Sequence, residues 1–170
     1  MRPRSGWTGS WPCSGSTAPS ITRSAARAGP STIAPDLDAG TRNIYGVSTF
    51  ATAKFAAAAA MAARVFAKAD PSLTARCRDA ARRAWAFLRT HGFYWQHTDF
   101  DDEGSGAYGQ STDAADRLWA ALELTAIGED AGDLGAMLNG YEPAAVGWQD
   151  AALLGLFDLA RSAAGTTALR

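Results

Sequence analysis

The sequence predicts an all-α fold built from helical hairpins, and three observations lead to this prediction. Two long segments, residues 48–68 and 71–88, carry apolar residues at intervals of mostly three and four, and only a short turn separates them. No segment alternates convincingly in the way typical of a strand. Apolar residues make up 47% of the 170 residues, which is enough for one domain with a packed core.

The first helix runs from about Ser48 to Lys68. Five consecutive alanines, residues 56–60, give it high helix propensity and a thin body that lets neighbouring helices approach closely. We expect its buried face to consist of the periodic residues Phe50, Phe55, Ala58, Ala59, Ala62, Val65 and Phe66.

The second helix begins at a strong start signal. Asp70 is a good N-cap, and Pro71 occupies the first helical position, where its missing N–H has no cost. The short turn makes the two helices an antiparallel hairpin. The residues expected to be buried on the second helix are Leu73, Cys77, Ala80, Ala81, Ala84, Phe87 and Leu88.

Three further helices are predicted, at about residues 113–127, 131–138 and 148–163. Thr112 or Asp113 caps the third helix, and Gly128 ends it. Its inward residues are expected to be Ala115, Leu118, Trp119, Leu122 and Ala126, and those of the fifth helix Ala152, Leu156, Phe157, Leu159 and Ala160.

A long loop, residues 91–112, separates the hairpin from the later helices, and loops of this length are often functional. Asp99, Asp101 and Glu103 have the opening spacing of a calcium-binding loop. Gln110 stands at the twelfth position, where it lacks the second carboxylate oxygen that calcium requires. The alternative is a solvated acidic loop. No other cofactor is expected.

The two ends of the chain differ from its centre. Residues 1–35 are rich in Ser, Gly, Pro, Ala and Arg without a countable period, so they form either a disordered tail or a segment that is not native protein sequence. Residues 164–170 are expected to fray. The basic start is followed by no apolar stretch, so no signal peptide is visible. A net charge of −1 argues against nucleic acid or an anionic membrane as a partner.

Several segments resemble family 9 glycoside hydrolases, the inverting cellulases. These are residues 42–57, 62–71, 104–124 and 147–159, and they occur in the order that this family has. The resemblance covers about residues 36–163. It implies that the chain holds an incomplete part of an (α/α)6 barrel, a toroid of six helical hairpins. It also implies hydrolysis of β-1,4-glucan by a parent enzyme that is secreted.

The catalytic carboxylates that the resemblance implies have no match in this sequence. Inverting hydrolysis needs one carboxyl group as acid and one as base. The family's base lies in an Asp-Ala-Gly-Asp motif, whereas Asp38-Ala39-Gly40 is followed by Thr41. Its acid is a late Glu, which has no counterpart here. We therefore expect no catalytic residue and no hydrolysis by this chain alone. The alternative is a non-catalytic helical module that binds carbohydrate or another partner.

Three aromatic residues are candidates for contacts with sugar rings, because aromatic faces stack on the apolar faces of pyranoses. They are Trp95, Tyr108 and Trp148, and the resemblance favours Trp148. The alternative for Trp148 is a packing role at the start of the fifth helix. Trp85 and Trp119 are expected in the core. The expected partner is a β-glucan, and apolar faces left open by absent hairpins predict self-association.

Overall fold

The computed structural model describes residues 46–97, 109–142 and 147–161, together with Leu37 and the backbone of two short strands. Within these ranges the fold consists of five helices: α1 (Thr49–Val65), α2 (Pro71–Thr90), α3 (Ala114–Ala126), α4 (Leu134–Asn139) and α5 (Ala152–Arg161). The all-α prediction is confirmed. The two strands, β1 (Ser24–Ala26) and β2 (Arg42–Ile44), form a small antiparallel ribbon that the sequence did not predict.

The hairpin of α1 and α2 forms as predicted, and its caps explain why. The hydroxyl of Ser48 accepts from the amide of Ala51 at the start of α1. The carboxylate of Asp70 accepts from the amide of Leu73, with Pro71 as the first residue of α2. The chain reverses direction between these helices within residues 66–70, so α1 and α2 pack antiparallel.

Helices α1, α3 and α5 run side by side in the same direction. Lys54 of α1 contacts Asp116 of α3, and ten residues later Arg64 contacts Glu123. From the first contact to the second, the residue number rises on both α1 and α3, so the two helices are parallel. Arg64 also reaches Asp158 of α5, and Gly155 lies against α3. Helix α2 covers the other side of α1, so the described helices form two layers.

The core between these helices is built largely from alanine. Small side chains on α1 meet small side chains on both neighbours, which allows close approach of the helix backbones. Ala81 and Ala84 of α2 and Ala120 and Ala121 of α3 are fully buried. The buried alanines of α1 are Ala53, Ala56, Ala57, Ala59, Ala60 and Ala63.

The predicted face of α1 is wrong for several residues. Phe50 and Ala59 are buried, but Ala58 is exposed, and Val65 and Phe66 are 62% and 41% exposed. The reason is that α1 is covered by α2 on one side and α3 on another, so its small residues are buried and its bulky C-terminal residues extend past the contact. Phe55 and Ala62 are half-buried.

On α2, α3 and α5 most predicted core residues are at least half-buried. Trp85 is buried and Trp119 is half-buried, as is Cys77. The exceptions are Phe157 and Ala160 of α5, which are exposed because the structure places no helix on that side of α5 in the described part of the chain. No described helix is both long enough and apolar enough to cross a membrane.

Candidate functional site

The N-terminal ends of α1, α3 and α5 lie together, and the segments that lead into them carry the polar and aromatic groups of the candidate site. We call this surface the N-terminal face; its members are Trp95, Lys54, Gln110, Asp116 and Trp148. The parallel arrangement of the three helices brings together residues that lie up to 94 positions apart in the chain.

Trp95 is held beside the start of α1 by a short strand-like pairing. The amide of Thr49 donates to the carbonyl of Tyr94 at 2.8 Å, and the amide of Gln96 donates to the carbonyl of Val47 at 2.8 Å. The Trp95 ring packs edge-on against Phe50, with ring centroids 6.0 Å apart.

Gly109 lies directly against the indole of Trp95. A Cβ atom at position 109 would be 2.3 Å from two carbons of this ring, so any larger residue there would force the ring or the backbone to shift. The close approach fixes one side of Trp95, which is half-buried.

Trp148 lies in a tight turn before α5 rather than in the helix. The amide of Gly147 donates to the carbonyl of Asp150 at 2.9 Å, and the amide of Asp150 donates back at 3.2 Å. Trp148 is 53% exposed, because α5 begins only at Ala152. The alternative, a packing role at the start of the fifth helix, does not fit this position, because Trp148 precedes α5 and is largely exposed.

Lys54, Gln110 and Asp116 form a polar cluster between the helix ends. The Lys54 ammonium lies 2.8 Å from Asp116 Oδ1 and donates to Gln110 Oε1 at 2.6 Å. The other end of the Gln110 amide donates to Asp116 Oδ2 at 2.9 Å and to the carbonyl of Gln149 at 3.4 Å. Burial raises the pKa of the fully buried Asp116, and Lys54 and Gln110 oppose this shift.

Asp150 anchors the turn that carries Trp148. The Tyr141 hydroxyl lies 3.0 Å from both carboxylate oxygens of Asp150, and the amide of Ala152 donates to the same carboxylate at 3.1 Å. Burial and the neighbouring carboxylate raise the pKa of Tyr141 to about 12. The phenol therefore stays protonated at neutral pH and acts as a donor.

A second ionic cluster lies further along the same helices. Arg64 donates to Glu123 at 3.0 Å and to Asp158 at 2.6 Å. Glu123 is fully buried, and its burial raises the pKa of its carboxyl, with Arg64 opposing the shift. This cluster joins α1, α3 and α5, with Glu123 fully buried and the side chains of Arg64 and Asp158 32% and 31% exposed.

The structure brings two of the predicted site residues, Trp95 and Trp148, to the same end of the fold. Tyr108 lies outside the described residues, and so do the calcium candidates Asp99, Asp101 and Glu103. Within the residues that are described, no three His, Cys, Asp or Glu side chains converge in a way that could hold a metal ion.

Sequence reasoning missed the roles of Lys54 and Asp116. Lys54 lies among the apolar and small residues of α1 and gives a usable signal, because a half-buried cation needs an anionic partner. The sequence indicates Gln110 only as a poor calcium ligand, whereas in the structure its amide links α1, α3 and the turn before α5.

Comparison with known proteins gives a consistent result. The profile of glycosyl hydrolase family 9 matches residues 30–166. Endoglucanase C of Cellulomonas fimi is 35% identical over 133 residues, which is 74% of this chain and 12% of that protein. Endoglucanase D of Acetivibrio thermocellus is 34% identical over 118 residues, 65% of this chain and 18% of that protein.

Solved structures show the same relationship in three dimensions. A metagenome-derived glycoside hydrolase family 9 endoglucanase is 39% identical with a TM-score of 0.73, over 82% of this chain and 26% of that one. The structure of AaCel9A in complex with cellobiose-like isofagomine is 31% identical with a TM-score of 0.74, over 84% of this chain and 28% of that one.

The chain thus spans about a quarter of these solved structures, at 26% and 28%, and 12% to 18% of the curated relatives. The structural agreement confirms the predicted incomplete helical toroid of the (α/α)6 type. The profile match covers most of the sequence and confirms the resemblance that its segments indicated: this chain belongs to glycosyl hydrolase family 9.

Proposed function

We propose that this chain is part of the catalytic domain of a β-1,4-glucan hydrolase, and that it contributes a glucan-binding face rather than the catalytic pair. The observation that carries the proposal is the family 9 profile over residues 30–166 in a chain that covers about a quarter of homologous solved structures. Two relatives are named endoglucanases, and a third was solved with a cellobiose-like compound.

The carboxylates support a binding role better than a catalytic one. An inverting hydrolase needs an acid and a base about 6.5–9.5 Å apart with room for water between them. The buried carboxylates in the described ranges are engaged elsewhere: Asp113 with Arg117, Asp116 with Lys54, Glu123 with Arg64, and Asp150 with Tyr141. Each therefore has a structural partner.

The two tryptophans of the N-terminal face are the proposed sugar contacts. Trp148 presents a half-exposed indole from a turn, and Trp95 lies at the start of α1, the helix next to α3 in the parallel layer. Stacking on an aromatic ring suits the neutral, amphipathic rings of a glucan chain. The same positions would lie beside the substrate in the complete catalytic domain.

The experiment combines a hydrolysis assay with a binding assay. We expect the chain to release no reducing sugar from carboxymethylcellulose, while an intact family 9 endoglucanase does so under the same conditions. We expect it to be retained on amorphous cellulose, and the Trp148→Ala variant to lose that retention. Phe157→Ala is the matched control, because it removes an exposed aromatic residue from α5. Hydrolysis by the purified chain, or equal retention of both variants, would contradict the proposal.

A second candidate function is that of an interaction module, and the exposed apolar stripe of α5 favours it. Leu154 and Phe157 are 44% and 64% exposed and lie three positions apart on one side of the helix. This function predicts a defined oligomer and no retention on cellulose. The retention assay above separates the two functions, because only the glucan-binding function predicts retention on cellulose.

A further inference from the structure

The Gln110 side chain occupies the junction between three elements of the N-terminal face. Its Oε1 accepts from Lys54 of α1, and its Nε2 donates to Asp116 of α3. The same nitrogen lies 3.4 Å from the carbonyl of Gln149, which adjoins Trp148 in the turn before α5. Nε2 also faces the carbonyl of Thr112 at 3.2 Å.

The amide of Gln110 matches the donors and acceptors of this junction. Lys54 can only donate, whereas Asp116 and the carbonyl of Gln149 can only accept. A side chain that serves both needs an acceptor and a donor on one planar group, which glutamine supplies. A carboxylate of the same length would keep the contact with Lys54 but would place an oxygen against three acceptors. These acceptors are Asp116 and the carbonyls of Thr112 and Gln149.

Because of this geometry, we propose that Gln110 is a positioning residue for Trp148. Its amide orients the turn of residues 147–150 relative to α3 and so sets the affinity of the N-terminal face for glucan chains. The inference rests on the proposed function in one respect only, the identity of the ligand that Trp148 contacts.

Gln110→Glu is the discriminating variant. At neutral pH the glutamate keeps an oxygen for Lys54 but loses the donor, so the turn should move. When the glutamate is protonated at acidic pH, it regains one O–H donor and should restore the link. The charged groups around this position are Lys54 on α1, Asp113 and Asp116 at the start of α3, and Asp150 in the turn. Wild-type protein measured at each pH is the control, because any effect of the titration of these neighbouring groups appears there as well.

The position of Trp148 can be followed directly by fluorine NMR of protein labelled with 5-fluorotryptophan, with its signal assigned by Trp148→Phe. In Gln110→Glu at pH 7 we expect a shifted Trp148 signal, an unchanged Trp85 signal, and a cellohexaose affinity about threefold to tenfold lower, the effect of a lost hydrogen bond. Both changes should reverse toward wild type on acidification.

Two further variants complete the test. Gln149→Ala is the matched control, because it removes only a side chain and leaves the accepting carbonyl in place, so its Trp148 signal should match wild type. Gln110→Met lacks both donor and acceptor, and should shift the Trp148 signal at every pH. It replaces Gln110→Glu as the deciding variant if the charged substitution disturbs the fold, which the Trp85 signal reports.

An unchanged Trp148 signal in Gln110→Met, or a Gln110→Glu variant that binds cellohexaose as wild type does at pH 7, would overturn the inference. Wild-type protein that binds no cellohexaose would instead contradict the proposed function. In that case the Trp148 signal alone still decides whether Gln110 positions the turn.

Discussion

Arg64 of α1 donates a hydrogen bond to Asp158 of α5 at 2.6 Å, and the same guanidinium donates to Glu123 of α3 at 3.0 Å. One side chain therefore joins all three parallel helices. The guanidinium suits this role because it is planar and carries several donors in fixed directions. Glu123 is fully buried, whereas the side chain of Asp158 is 31% exposed. The charge of Glu123 therefore depends more on its pairing with Arg64 than the charge of Asp158 does.

Replacing Arg64 with methionine should destabilise the fold by about 3 kcal/mol, because it leaves the buried Glu123 carboxylate without its cation. Urea unfolding followed by circular dichroism measures the change. Arg89→Met is the matched control: Arg89 is 61% exposed and 3.9 Å from Asp130, so its loss should cost less than about 0.5 kcal/mol. Equal losses in the two variants would show that Arg64 has no special role.

The buried carboxyls give the stability a pH dependence opposite to ordinary acid denaturation. Burial raises the pKa of Glu123 above its usual 4.5 and that of Asp116 above its usual 3.8. The folded state thus binds these protons more tightly than the unfolded state. The stability that these two carboxyls contribute is fully present at a pH below their usual pKa values. It is lost as the pH rises through the raised pKa values of the folded state.

We therefore expect the Glu123→Gln variant to have a different pH profile from wild type. Its free energy of unfolding should fall less steeply than that of wild type as the pH rises from about 4.5, since glutamine does not titrate. Denaturant unfolding at a series of pH values measures both slopes. Parallel profiles would mean that Glu123 titrates alike in the folded and unfolded chain.

Gly155 marks the closest approach of α5 to α3. A Cβ atom there would lie 2.8 Å from Trp119 Cδ1 and 3.1 Å from Leu122 Cβ. Overpacking of a core costs about 1–3 kcal/mol, and alanine recovers about 1 kcal/mol of helix propensity, so Gly155→Ala should lose about 1 kcal/mol net.

Gly92→Ala provides the comparison for this variant, because nothing lies within 4 Å of a Cβ atom at position 92. Thermal or urea unfolding of both variants would test the prediction. If Gly155→Ala were as stable as Gly92→Ala, the contact between α5 and α3 would be looser than the structure shows.

The apolar stripe on α5 should drive self-association. Phe157→Gln removes the most exposed part of this stripe, so we expect a lower sedimentation coefficient at high protein concentration. Arg161→Gln changes the end of the same helix without removing apolar area and should leave sedimentation unchanged. A monomeric wild-type chain at high concentration would contradict this expectation.

Local signals in the sequence predicted the positions of the helices better than they predicted which helix faces are buried. Asp70 and Pro71 placed the start of α2 correctly, and the Thr112 hydroxyl accepts from the amide of Ala114 at the start of α3. These features depend on neighbours in the chain. Helix α5 begins later than predicted because residues 147–150 close a turn, with Asp150 accepting from the amide of Ala152.

The buried face of α1 and the buried charges were harder to predict, because both depend on partners far away in the chain. A stripe of large residues predicts one buried face, whereas α1 is covered on two sides and buries its alanines. Asp116 and Glu123 are polar residues that burial statistics place at the surface. The pairing with Lys54 and Arg64, between 59 and 62 positions away, and the hydrogen bond from Gln110 to Asp116 make their burial tolerable.

The shared direction of α1, α3 and α5 has an electrostatic consequence. Antiparallel neighbours cancel one another's helix dipoles, whereas parallel neighbours add them, each with about half a positive charge at its start. Asp113 and Asp116 at the start of α3 and Asp150 before α5 supply negative charge at that end, while α1 has no acidic residue in its first turn. The carboxylates thus offset part of the field that the three helix starts produce at this end of the fold.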